Sequence, residues 1–121
     1  MDLSFYFDPV SPEIASLTQS VPAGMFASGV QVYHHFFPDW KEAQFVLIGC
    51  PDPQSPIPES DSIRQFLYGT SLPKDGIRIA DLGNLKPKET TQSRLEALSY
   101  IVELLLKAEK QVILLGGRQE N

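Results

Sequence analysis

Phe45-Val46-Leu47-Ile48-Gly49 is the stretch whose reading decides the fold. Four apolar residues in a row, closed by a glycine, describe a strand buried on both faces; a half-exposed strand would alternate. Such strands belong to parallel sheets with helices on each side. Working outward, Ile77-Arg78-Ile79-Ala80-Asp81-Leu82 is a second strand, ended by Gly83-Asn84, and Val112-Ile113-Leu114-Leu115 is a third. Between them lie two helical patterns. Ile63, Phe66 and Leu67 fall at i, i+3 and i+4 and predict one apolar face, with Ser60 or Asp61 as N-cap and Gly69 as stop. In the second pattern Leu95, Leu98, Val102 and Leu105 make a stripe that Ile101, Leu104 and Leu106 widen, which predicts a heavily buried helix. Ser93-x-x-Glu96 has capping-box form, with Thr90 or Thr91 as other starts, and Lys107 and Lys110 suit its C-terminal end.

The order strand–helix–strand–helix–strand has crossovers long enough to join parallel strands, with right-handed connections. Double winding puts the first strand in the centre and the helices on opposite faces. The expected architecture is α/β: a three-layer α/β/α fragment over 45–121 with parallel core strands in spatial order 2-1-3. It is preceded by an irregular arm, 1–44. Within the arm, Asp8-Pro9 and Ser11-Pro12 mark turns and 12–18 reads as a short helix or turn. Val30 to Phe36 predicts an edge strand that Pro38-Asp39 ends. Phe5, Tyr6, Phe7 and Trp40 are costly to leave in water, so the arm is read as a latch packed onto the sheet.

Composition narrows the function classes. The chain has 121 residues, enough for one small domain, with 42% apolar and 21% charged residues. A net charge of −5 without a basic stripe argues against nucleic acid. No apolar run has the length of a membrane span. Met1-Asp2-Leu3-Ser4-Phe5 lacks the positive start of a signal peptide, and the single Cys50 excludes an internal disulfide. The expected location is cytoplasmic.

Few residues offer chemistry by themselves. The loop with Pro51, Pro53, Pro56 and Pro58 lacks G-x-G-x-x-G and the amide donors that phosphate needs. Asp81 has the position of a ribose-binding acid, but capping a turn or accepting nearby N–H groups is the simpler reading. His34 and His35, as strand neighbours, point to opposite faces and do not grip one metal. Cys50 reads as a plain buried thiol, because a nucleophile would need a base that nothing in the sequence supplies.

Four segments carry a resemblance when taken in order: Phe45-Val46-Leu47-Ile48-Gly49-Cys50-Pro51, Asp61-Ser62-Ile63-Arg64-Gln65-Phe66-Leu67-Tyr68, Asp81-Leu82-Gly83-Asn84, and Val112-Ile113-Leu114-Leu115-Gly116-Gly117. The chain resembles the N-terminal part of the arginase, agmatinase and formiminoglutamase (ureohydrolase) family. Phe7-Asp8-Pro9-Val10-Ser11-Pro12 looks like its bacterial formiminoglutamase-like branch. The resemblance implies an α/β/α protein with an eight-stranded parallel sheet. It also implies a manganese pair whose bridging hydroxide hydrolyses guanidino or formimino groups. The family's ligands lie in a G-G-x-H turn, a D-A-H-x-D strand end and an S-x-D-x-D-x-x-D-P segment. Only the first position falls within this chain, and there Gly116-Gly117-Arg118-Gln119 places Gln119 where the family has histidine. Glutamine is a poor substitute for imidazole on manganese.

The expectation is therefore a catalytically silent N-terminal portion of a ureohydrolase-type protein, with no catalytic, cofactor or metal site of its own. Its parent would be a hydrolase of linear C–N bonds. The rival expectation is a binding or scaffolding module that kept the fold and lost the metal site. The expected partner is a second copy, met through the edge of the last strand or through the arm.

Overall fold

Val46, Leu47 and Ile48 are fully buried, as a strand covered on both faces must be. They belong to β3, Phe45–Gly49, which sits between β4, Ile79–Leu85, and β5, Gln111–Leu115. The computed structural model describes residues 2–50, 59–87 and 90–116. Both pairings of β3 are parallel, so the core order is the 2-1-3 expected of a doubly wound unit. The crossovers carry α2, Glu59–Tyr68, and α3, Thr91–Lys107.

Strand alternation sorts the core into two layers. Val46, Ile48, Ala80 and Leu82 pack with Ile101 and Leu105 of α3. Leu47, Ile79 and Leu115 pack with Tyr68 of α2 and with Ile14 and Ala15 of a short helix α1, Pro12–Ser16. The helices thus take opposite faces, giving three layers. Ser11 caps α1 by accepting from the Ile14 N–H, with Pro12 at its first turn.

The arm completes the sheet at the outer edge of β4. There β2, Val30–Val32, runs parallel along the first half of β4, and β1, Phe7–Asp8, runs antiparallel along its last residues. Leu3 and Phe7 are buried on the α3 face, whereas Val10, Ile14 and Ala15 are buried on the α2 face. The arm therefore wraps around the β4 edge and clamps both layers. It crosses at Gly83, whose φ of +87° and contact with the Asp8 carbonyl leave no room for a Cβ. Trp40 lies partly buried against the α3-side core.

Several expectations need correction. Gly83-Asn84 does not end the second strand. The ladder shifts register between Leu47 and Gly49 and continues to Leu85, because the left-handed Gly83 accommodates the irregularity. The edge strand spans Val30–Val32 alone, and bends follow it. Phe5 is 78% exposed, so Leu3 and Phe7 anchor the arm instead. Of the apolar residues expected to face in on α2, Leu67 packs against the core, but Ile63 and Phe66 face outward, while Ser60, Arg64 and Tyr68 are buried. Ser60 lies inside the helix and bonds to Asn84, not to its own helix end. On α3, capped by the Thr90 hydroxyl, Ile101 and Leu105 are the buried residues among those described; Leu95 and Leu106 are more than half exposed. The proline-rich segment 51–58 and Gln119 lie outside the described residues.

Candidate functional site: a polar corner at the strand ends

Asp81 is the one acid of the strand Ile79–Leu85, with 0% exposure. A carboxylate there must be paired, because burying an isolated charge costs far more than a fold can supply. α2 carries one cation, Arg64, four residues from Ser60 and four from Tyr68, so all three lie along one stripe. That stripe faces Asp81.

The guanidinium grips the carboxylate through two bonds, Nε to Oδ2 at 2.7 Å and Nη2 to Oδ1 at 2.8 Å. This is the bidentate fork that arginine makes and lysine cannot. Tyr68 donates its hydroxyl to Oδ2, and the Gly83 N–H donates to Oδ1 at 3.1 Å. Arg64 uses its remaining donors on the Gly83 carbonyl at 2.9 Å, Asn84 Oδ1 at 2.7 Å and Asp61 Oδ1 at 3.4 Å. Ser60 also donates to Asn84 Oδ1, at 3.0 Å. Gly49 makes the approach possible: a Cβ there would strike Asn84 Oδ1 and lie 2.9 Å from Arg64 Nη2.

The electrostatics oppose chemistry at this corner. Burial pulls the Arg64 guanidinium down, but the hydrogen bonds and charge of Asp81 outweigh it and hold it above its ordinary value. Burial, followed by the Asp81 charge, pushes the Tyr68 phenol far above its ordinary value. Each therefore keeps its proton. Each Asp81 oxygen accepts from two donors, Oδ1 from Arg64 Nη2 and the Gly83 N–H and Oδ2 from Arg64 Nε and the Tyr68 hydroxyl. Among the described residues no buried side-chain nitrogen or oxygen lacks a partner. The corner ties α2 to β4, with Gly49 of β3 packed against the bonds.

The other candidate residues do not converge on it as a catalytic set. Asp81 accepts the Gly83 N–H as the simpler reading expected, but its principal partner is Arg64. Cys50 is half-buried, and burial raises its thiol despite the nearby charges of Arg94 and Arg64. His34 and His35 lie in a bend, not a strand, and their rings sit side by side with centroids 4.3 Å apart. The separation argued from strand alternation does not apply to them. His34 Nδ1 is 3.2 Å from the Val10 carbonyl, and no third ligand joins the pair: among the described residues no three His, Cys, Asp or Glu side chains gather in metal-binding range. An open cleft of about 740 Å³ lies at the other end of the sheet, where Asp39, Glu42, Asp75 and Arg78 line the start of β2 and β4.

No family model, no curated protein and no solved structure matches this chain. Among the described residues, no helix is long and apolar enough to cross a membrane.

The sequence reading missed Arg64 and Tyr68 as members of one site. A signal was present: an acid within a largely apolar strand calls for a cation, and Arg64 is the one cation of the preceding helix.

Proposed function

We propose that the chain is a catalytically silent, N-terminal βαβαβ portion of a ureohydrolase-type α/β/α protein, whose parent hydrolyses a formimino or guanidino C–N bond. One observation carries this reading. Three of the segments that resemble the family are far apart in sequence, yet they meet at one point. Gly49 ends the first, Arg64 and Tyr68 lie in the second, and Asp81, Gly83 and Asn84 form the third. Segments that interlock in this way are expected to occur as a set.

Silence is supported by the state of the groups at the corner, where Asp81 is committed to Arg64, Tyr68 and Gly83. A single cysteine, Cys50, accords with a reducing, cytoplasmic location. The exposed apolar residues of α3 favour the second reading, a binding module that keeps the fold without the chemistry.

Two experiments separate the parts of the proposal. The chain, incubated with Mn²⁺ and formimino or guanidino compounds, is expected to release no ammonia, formamide or urea above buffer; turnover that tracks protein concentration overturns silence. The reading frame that follows Asn121 tests the parentage. Segments of the form D-A-H-x-D and S-x-D-x-D-x-x-D-P are expected there, and a continuation without them leaves the binding module.

A further inference from the structure

Asp81 and Asn84 are three residues apart on β4, yet both side chains reach Arg64 on the α2 face. Regular alternation would send them to opposite faces. The register shift makes the difference: two steps in β3, Leu47 to Gly49, lie opposite three in β4, Asp81 to Asn84. The same extra residue turns Leu85 to the α3 face, where it is buried with Leu3 and Phe7 of the arm. Ala80 and Leu82, before the shift, already lie on that face. Without the bulge Asn84 would turn away from the corner, and Leu85 would leave the layer that holds Phe7.

The main chain of the bulge is shared in the same way. Gly83 gives its N–H to Asp81 Oδ1 and its carbonyl accepts from Arg64 Nη2, so the corner holds the glycine from both sides. The arm crosses on the space that a Cβ would fill, with the Asp8 carbonyl against Gly83. On one side of the crossing the Lys86 N–H donates to the Tyr6 carbonyl at 2.8 Å. On the other the Tyr33 N–H donates to the Asp81 carbonyl at 3.0 Å, and the Tyr33 carbonyl accepts from the Val10 N–H at 2.9 Å. Asp81 and Asn84 thus give their side chains to the corner and their backbone to the strands of the arm.

We propose that the Gly83 bulge is a conformational coupler, which makes the arm a strap held in place by the Arg64–Asp81 pair. A glycine at φ +87° has many other conformations open to it, and the bonds from Asp81 and Arg64 select this one. With the pair made, the crossing and the Leu85 seat are formed in advance and the arm docks on them. With the pair broken, Gly83 regains its freedom, both seats are lost and the arm lifts as a unit. Coupling of this kind is reciprocal, so lifting the arm loosens the pair. Phe7 and Arg64 belong to opposite layers, so packing between them does not carry the effect. The bulge carries it, as one element that both sides bias.

Hydrogen exchange on the full chain tests the coupling. In the wild type the Arg64 Nε–H and the Val10 and Lys86 amides are expected to open together as urea rises, at lower urea than the Leu47 amide of the central strand. The double variant Arg64→Met, Asp81→Leu fills the corner with apolar side chains and removes its bonds to Gly83. There the Val10 and Lys86 amides are expected to exchange faster, relative to Leu47, by about tenfold or more. A role in stability alone would speed all of these amides equally. Separate opening of Arg64 and the arm in the wild type, opening of the arm only together with Leu47, or an unchanged ratio in the double variant overturns the proposal. The wild-type measurement decides even if the double variant does not fold.

Discussion

α2 and α3 lie on opposite faces of one sheet and cover it in opposite ways. α2 buries a polar stripe, Ser60, Arg64 and Tyr68, and leaves Ile63 and Phe66 in solvent. α3 buries Ile101 and Leu105 in an apolar layer and leaves Leu95 and Leu106 half bare. The α2 corner is closed: among the described residues no buried side-chain donor or acceptor lacks a partner. The α3 side carries apolar surface at Leu95, Leu106 and Leu114, beside a strand that pairs on one side only among the described residues. The contrast teaches that helical periodicity identifies a helix but does not by itself choose the face that turns inward. Asp81 makes that choice for α2, because an unpaired buried carboxylate costs more than exposing one isoleucine and one phenylalanine. No comparable demand acts on the outer face of α3.

The largest effect is expected from breaking the closed corner. Asp81→Ala leaves Arg64 buried without its counter-charge and is expected to cost about 3–5 kcal/mol in urea unfolding. The double replacement Arg64→Met, Asp81→Leu is expected to recover most of that loss. A single replacement costing under about 1 kcal/mol would show the corner to be wet and exchangeable, and the contrast with α3 would dissolve.

The next test stays on α3 and compares its two faces. Leu105→Ala, at a fully buried position, is expected to destabilise by about 2–5 kcal/mol. Leu95→Ala, at a position 52% exposed, is expected to change the monomer by less than about 0.5 kcal/mol. Equal losses at low protein concentration would mean that the outer face is covered within one chain.

The smallest effect is a pH slope. The Cys50 thiol and the Tyr68 phenol are both raised in the fold, from ordinary values of 9.0 and 10.0. Above those values the unfolded chain loses protons that the folded chain retains. Their stabilisation is thus complete below pH 9 and falls as pH rises, at up to about 1.4 kcal/mol per pH unit for each group. Unfolding followed from neutral to alkaline pH should show the decline beginning near pH 9 and steepening beyond pH 10, and Cys50→Ala should remove the first step. A flat profile would mean that water reaches both groups.

Much of this molecule was legible from patterning. Continuous apolar runs at 45–48 and 112–115, separated by helical stretches, determined parallel strands, their 2-1-3 order and helices on both faces, because each follows from local burial and chain connectivity. Ser11-Pro12 set the start of α1 by local capping chemistry. The candidate site was less legible. Its members were visible as residues of the family-like segments, but the bond from Arg64 to Asp81 spans a loop and two elements. A one-dimensional pattern ranks isoleucine and phenylalanine above arginine for burial, so it turned α2 the wrong way. Tertiary structure alone decided three things: the polar inner face of α2, the passage of the arm over Gly83, and the bare outer face of α3. Each depends on what lies opposite a residue in space. Sequence determines which elements the chain can form; the neighbour across the gap, whether a charge to be neutralised, a backbone to be passed or a surface left unmet, determines how they are turned.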